Sequence, residues 1–333
     1  MGESKLNTRI FGKTGVSVSE VGLGAWQLGG ADWGPVDEKK AFAILQSAID
    51  CGINFFDTAD VYGLGQSESY IGKFLRSCPK QVFVATKLGR LPEPGWPENF
   101  TLKTMRAHTE QSLKNLGLER IDLSQLHCVP TEIVREGEVF ENYRILQTEG
   151  KIRYFGASVE SMEEAMLCLE QDGCAALQII FNIFRQKPIS ELFDKAKAKG
   201  IALIVRLPLA SGLLSGQYSK DTVFAGDDHR NYNKDGEYFN VGETFAGLPF
   251  EKGVELSEEI KSLVPEGMTM AQMALRWILD FDAVSTVIPG ASRPEQVAAN
   301  ASASAIAPLS NALHERLAEL YWTGIAAHIR GKY

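Results

Sequence analysis

An apolar strand followed by a helical stretch, repeated eight times, is the feature that most restricts what this chain can fold into. Val21-Gly22-Leu23-Gly24, Ile53-Asn54-Phe55-Phe56, Val82-Phe83-Val84-Ala85-Thr86 and the run 121–126 read as the first four strands. The runs 152–156, 176–181, 201–205 and 285–288 read as the second four. Between and after them, 37–50, 69–76, 101–116, 133–149, 161–171, 190–199, 269–281, 293–300 and 310–320 read as helices. In 37–50 the apolar residues Ala41, Ile44, Leu45 and Ala48 recur at helical spacing. Gly52, Gly117, Gly150 and Gly200 follow four of the helices, where a helix end favours positive φ.

Apolar, β-branched strands alternating with helices make a parallel sheet covered by helices. Eight such units are the number that closes a (β/α)8 barrel. The alternative, an open doubly wound sheet, usually has a G-x-G-x-x-G turn after its first strand. Gly22-Leu23-Gly24-Ala25-Trp26 does not supply one. The expectation is a single α/β domain over 1–333, a (β/α)8 TIM barrel with long βα loops, the longest at 211–252. A β-hairpin at 9–18, turning on Gly12-Lys13-Thr14-Gly15, precedes it.

Composition narrows the partners. A hydrophobic fraction of 44% suffices for a large core. The net charge of −8, from 34 basic and 42 acidic residues, offers no basic excess for nucleic acid. The five cysteines are scattered and form no C-x-x-C pair, so free thiols are expected, with no metal site. No apolar run reaches the roughly 18 residues that would span a membrane. The opening MGESKLNTRIFGK has no apolar secretory core, and Leu6 stands where a myristoylation signal has Ser or Thr. The expected location is the cytoplasm; nothing in the sequence fixes an oligomeric state.

In such a barrel, chemistry gathers where strands end and loops begin. The second strand runs into Asp57, and Tyr62 follows on the loop. The third strand ends at Lys87 and the fourth at His127. Singly, each has an ordinary reading: Asp57 as a turn cap, Lys87 as a solvated lysine, His127 as a core or capping residue. At corresponding places on one face they make a coherent set. A phenol with a pKa near 10 is a poor proton donor at neutral pH, and a cation beside it stabilises the phenolate. Asp57 would hold Lys87 charged, Lys87 would lower the Tyr62 pKa, and His127 would hydrogen-bond a substrate oxygen. A polarised carbonyl beside a tuned proton donor is a reductase arrangement once something delivers a hydride.

The later strands offer groups for a hydride carrier. Ser158 and Gln178 are suited to an amide. Ile288-Pro289-Gly290-Ala291-Ser292-Arg293 leads into a helix whose N-terminus would take an anion through backbone N–H groups and its dipole. The plainer alternative is a helix capped by Ser292.

With these residues the sequence resembles the aldo-keto reductase superfamily, on its bacterial and potassium-channel-β-subunit side. The resemblance runs from Phe11-Gly12-Lys13-Thr14-Gly15 through Gly52-Ile53-Asn54-Phe55-Phe56-Asp57-Thr58-Ala59, Tyr62-Gly63 and Gly65-Gln66-Ser67-Glu68. It continues through Ser112-Leu113-Lys114-Asn115-Leu116-Gly117 and the strand ending Gln125-Leu126-His127 to Ile288-Pro289-Gly290-Ala291-Ser292-Arg293. It implies a barrel that reduces aldehydes or ketones with NADPH. By it, Tyr62 is the general acid, tuned by Lys87 and Asp57, and His127 orients the carbonyl. Gly24, Ala25 and Trp26 would border the cofactor, Asp57 would stand beside it, and Ser158 and Gln178 would hold its carboxamide. Gly290, Ser292, Arg293, Gln296 and Asn300 would hold the pyrophosphate and the adenosine 2′-phosphate, whose expected partner is an Arg.

Three positions depart from the family pattern. Val159 replaces a usual Asn, and Ala299 stands where some members have an acid. Arg206 stands where many place an aromatic residue against the nicotinamide. It would reach the pyrophosphate, reach a substrate carboxylate, or pair with a nearby acid. The substrate pocket is expected from Trp33, Trp96, Cys128 and the aromatics Tyr218, Phe224, His229, Tyr232, Tyr238 and Phe239 of the insertion 217–252. Asp227-Asp228-His229 lacks a further ligand at metal spacing. The partner implied is a small-molecule carbonyl substrate. An NADP-linked sugar or polyol dehydrogenase and a cofactor-sensing regulatory subunit are the alternatives.

Overall fold

A computed structural model describes residues 6–333; the leader and acylation expectations fall in part on residues 1–5, which lie outside them. Two short strands, β1 (Thr8–Ile10) and β2 (Ser17–Ser19), pair antiparallel with Thr8 opposite Ser19. Gly12 at the turn has φ +52°, and a Cβ there would fall 2.5 Å from the Gly200 carbonyl oxygen. That close approach lets the Lys13 N–H reach the same carbonyl at 2.7 Å. Phe11 packs on Phe55 and Phe83 at ring separations of 5.6 and 5.2 Å. Both partners stand at strand starts, so the hairpin plugs the end of the barrel away from the chemistry.

The barrel strands are β3 (Leu23–Gly24), β4 (Phe55–Asp57), β5 (Phe83–Leu88), β6 (Ile121–His127), β7 (Ile152–Ser158), β8 (Cys174–Ile180), β9 (Ala202–Arg206) and β10 (Val284–Val287). They pair in parallel in chain order. Parallel bridges from Val21 to Val287 and from Gly24 to Gly290 bring the first strand back against the last. Two hydrogen bonds secure the closure, Gly22 N–H to Val287 O at 2.8 Å and Gly24 N–H to Pro289 O at 3.1 Å. A Cβ on Gly24 would lie 2.7 Å from the Ile288 carbonyl oxygen, so the seam needs a glycine. The expected barrel and hairpin are both present.

Strand register places the site. Lys87 stands opposite Gln125, His127 opposite Ser158, and Ser158 opposite Gln178. Side chains alternate across a strand, so Gln125 and His127 share a face.

The helices differ in detail from the periodicity. The expected helix 133–149 is two, Thr131–Glu136 and Glu138–Thr148, divided at Gly137 with φ +81°. The segment expected over 190–199 starts earlier and divides into Pro188–Glu191 and Phe193–Lys199. The long connection after β9 runs into a helix, Phe250–Lys261, that periodicity did not reveal. It buries Val254, Leu256 and Ile260 but has Gly253 inside it, where Leu213 packs. Among the described residues no helix is long and apolar enough to cross a membrane.

Candidate active site

The C-terminal ends of β4, β5 and β6 bring Asp57, Tyr62, Lys87 and His127 together. Lys87 Nζ donates to Asp57 Oδ1 at 2.5 Å, to the Thr58 carbonyl at 2.9 Å and to Tyr62 Oη at 3.2 Å. The other Asp57 oxygen accepts from Gln125 Nε2 at 3.1 Å and Gln178 Nε2 at 2.8 Å. Asp57, Lys87 and His127 are buried, while Tyr62 keeps part of its surface open. Its ring stacks on Trp26 at 5.9 Å and meets the edge of His127 at 5.7 Å.

Burial works against the Lys87 ammonium, but Asp57 and Tyr62 outweigh it and hold its pKa above the usual value. Lys87 pulls the Tyr62 pKa down as expected, yet burial, Asp57 and Glu243 more than offset that pull, and the phenol is raised overall. Burial and the cations Arg90, Lys87 and Arg206 push His127 well below the ordinary histidine range, so its ring is neutral. Its Nδ1 has no hydrogen-bond partner among the described residues.

Two hollows meet at Tyr62 and His127, which line both. A cleft of about 680 Å³ runs from Gly24, Ala25, Trp26 and Gln178 to Gly290, Ser292, Arg293, Gln296 and Asn300. Asp57, Tyr62, His127 and Arg206 also line it. The Ser292 N–H and hydroxyl both donate to Gln296 Oε1, at 2.8 and 3.1 Å. Arg293, not Ser292, occupies the N-cap position of the helix Pro294–Ser302, without a side-chain capping bond. Ser158 does not border the cleft; it is buried with its hydroxyl 3.5 Å from Cys128 Sγ.

This cleft fits a nicotinamide dinucleotide. The Gln27 amide packs directly on Gly290, where a Cβ would come 2.2 Å from Gln27 Nε2. Gln27 Oε1 and Arg206 Nε are buried without partners among the described residues. The Arg293 side chain is 63% exposed, with Glu295 no nearer than 3.9 Å, which leaves a cation for a phosphate.

The second hollow, a cavity of about 1080 Å³, is lined by Trp26, Tyr62, His127, Trp96, Cys128 and the insertion residues Tyr232, Tyr238 and Phe239. Trp33 borders the cleft instead, packed with Trp26 and His229. Tyr218 also faces the cleft, and Phe224 packs against Phe250. Trp26 Nε1 donates to Asp32 at 2.8 Å, and the Tyr232 hydroxyl bonds the other Asp32 oxygen, tying the insertion to the rim.

Between the hollows lies an ionic group that the motifs did not reveal. Glu243, from the insertion, meets Arg90 Nη2 at 2.7 Å and Arg206 Nη1 at 3.2 Å. Arg90 also reaches Glu160 at 3.3 Å, and Asn240 Nδ2 donates to Glu160 at 2.9 Å. Arg206 thus pairs with an acid, the third reading allowed by the sequence; it also donates to the Val159 carbonyl at 3.3 Å and Cys128 Sγ at 3.2 Å. Burial opposes the Glu243 charge, but Arg90 and Arg206 prevail and hold its pKa at about 2. Burial and Glu243 push Glu160 up to about 7. Cys128, Glu160 and Glu243 lie within 4.8 Å of one another, but the arginines already occupy both carboxylates. In sequence, Arg90 and Glu160 are simply loop charges just past strand ends. Gln125 was legible in principle, as a polar residue two before His127 on the same strand face.

Known proteins resemble this chain along most of its length. The sequence pattern of the Aldo/keto reductase family matches residues 20–321. Aldo-keto reductase YhdN of Bacillus subtilis (strain 168) is 32% identical over 295 residues, covering 86% of this chain and 85% of that protein. The NADH-specific methylglyoxal reductase of Escherichia coli (strain K12) is 29% identical, covering 88% of this chain and 92% of that protein. The holo form of aldo-keto reductase AKR11C1 from Bacillus halodurans superposes with a TM-score of 0.77 at 27% identity, over 95% of this chain and 96% of that one.

Proposed function

This chain belongs to the aldo/keto reductase family, whose members use nicotinamide cofactors, and we propose that it reduces aldehyde or ketone carbonyls to alcohols with NADPH. The observation that supports this most is the single ammonium of Lys87, bonded to both Asp57 and Tyr62 where the cleft opens into the cavity.

The bound cofactor supplies a hydride to the carbonyl carbon. Tyr62 gives the carbonyl oxygen its proton, which balances the reduction to an alcohol. Lys87 stabilises the phenolate left behind, and Asp57 holds Lys87 in place. Neutral His127 orients the carbonyl oxygen by a hydrogen bond, and no proton need leave the ring. Gly24, Ala25, Trp26 and Gln178 would border the ring end of the cofactor. Gly290, Ser292, Gln296 and Asn300 would hold its phosphate end. Gln178 lines the cleft and Ser158 does not, so Gln178 is the better partner for the carboxamide.

NADPH is favoured over NADH by the exposed, nearly uncommitted guanidinium of Arg293 at a helix N-terminus, suited to a 2′-phosphate. The NADH-specific relative makes this choice a matter for measurement. The test is oxidation of NADPH and NADH with a panel of aldehydes and ketones, and of NADP⁺ and NAD⁺ with sugars and polyols. Turnover with NADPH and carbonyls is expected; turnover with NADP⁺ and polyols alone would favour the dehydrogenase. Tight cofactor binding without turnover in either direction would favour the regulatory subunit.

A further inference from the structure

The site holds an arginine for which the proposed proton transfer has no use. Arg206 ends β9, is 9% exposed, lines the same cleft as Tyr62, His127 and Gln178, and reaches Cys128, next to His127, at 3.2 Å. A guanidinium does not deprotonate in a folded protein. Its charge is cancelled by a neighbour or stays in the site. The neighbour is Glu243 at 3.2 Å, itself 5% exposed and lining both hollows; it also meets Arg90, whose charge is balanced in turn by Glu160.

The redox chemistry makes that cancellation consequential. A nicotinamide ring is cationic when oxidised and neutral after it has accepted a hydride. A fixed charge beside the ring therefore acts on the oxidised form and leaves the reduced form nearly untouched. Taking the cofactor assignment above as its basis, we propose that Glu243 sets the relative affinity of this site for oxidised and reduced cofactor, by cancelling the charge of Arg206 at the ring end of the cleft.

The pair also accounts for an arginine where many relatives have an aromatic residue. A guanidinium is flat and stacks on rings, and with Glu160 ionised beside Arg90 the two arginines and two carboxylates bring no net charge. Glu243 belongs to the insertion, whereas Arg206 belongs to the barrel. The insertion thus supplies a charge as well as a wall. The anchoring of Glu243 by Arg90 at 2.7 Å keeps that charge in place.

The test is the ratio of dissociation constants, Kd for NADP⁺ over Kd for NADPH, from tryptophan fluorescence of the full chain. All variants are compared at one pH, above the range in which Glu160 titrates. Glu243→Gln is expected to raise the ratio roughly tenfold or more, through lost NADP⁺ affinity, since a unit charge acts strongly at such range in a poorly solvated site. Arg206→Gln is expected to lower the ratio, and the double variant to return it near the starting value. NAD⁺ and NADH replace the phosphorylated pair if the chain prefers them. If both cofactors weaken by one common factor, or the double variant fails to restore the ratio, Glu243 only fastens the insertion and the inference is overturned. If the unmodified chain binds no nicotinamide nucleotide, the cofactor assignment falls and this inference falls with it.

Discussion

Asp57 and Lys87 form an ion pair at 2.5 Å with neither side chain more than 3% exposed. They lie 30 residues apart in sequence, on neighbouring strands. Such a pair adds little net stability, because desolvation offsets much of the attraction. Its structural consequence is that the Lys87 ammonium has a fixed position, from which it donates to Tyr62 at 3.2 Å.

Lys87→Met removes the cation and leaves the Asp57 carboxylate buried with only the Gln125 and Gln178 amides. Stranding one member of a buried pair costs roughly 3–5 kcal/mol of folding stability. Denaturant unfolding should show a loss of that size, and carbonyl reduction should fall because the phenolate is no longer stabilised. A variant as stable and as active as the parent would contradict the arrangement.

Asp60 gives a pH-dependent prediction. Neither of its buried carboxyl oxygens accepts from another side chain among the described residues, and burial and Glu68 raise its pKa well above 3.8 against weaker pulls from the Val61 backbone and Lys87. Between the unfolded and the folded pKa the folded chain binds more protons, so this group lowers stability as pH rises through that window. Asp60→Asn removes the effect. Its stability relative to the parent should rise with pH by up to about 1.4 kcal/mol per unit across the window. A difference that does not change with pH would mean that Asp60 is ordinarily ionised.

Arg293→Ala should weaken NADPH by about tenfold to a hundredfold, the loss expected for a charge-assisted hydrogen bond, and leave NADH nearly unchanged. Titration of both nucleotides checks this. Equal weakening of the two would show that Arg293 does not meet the 2′-phosphate.

Glu160 and His127 both face the substrate cavity, but they titrate in different ranges. Glu160 is pushed up to about 7 by burial and Glu243, while His127 lies well below 6.5. A break near neutral pH in KM for the carbonyl should therefore vanish in Glu160→Gln and persist when His127 is changed to Asn. The opposite outcome would make His127 the titrating group.

The barrel and the four residues Asp57, Tyr62, Lys87 and His127 were legible because periodicity finds strands, and strands of a barrel end on one face. Glycine inside a helix was less legible: Gly137 divides one expected helix, and Gly253 obscured another. The ionic group was not legible at all. Arg90 and Glu243 are 153 residues apart, and no local pattern pairs them. The balance at Tyr62 was not legible either, because sequence shows the nearby cation, whereas the extent of burial emerges only with the packed fold.

Tyr62→Phe tests the central claim most directly. The substitution removes one oxygen and keeps the ring that stacks on Trp26. Steady-state reduction of an aldehyde, with cofactor Kd measured in parallel, should show kcat down by about a hundredfold or more and cofactor binding little changed. Turnover equal to that of the parent would contradict Tyr62 as the proton donor.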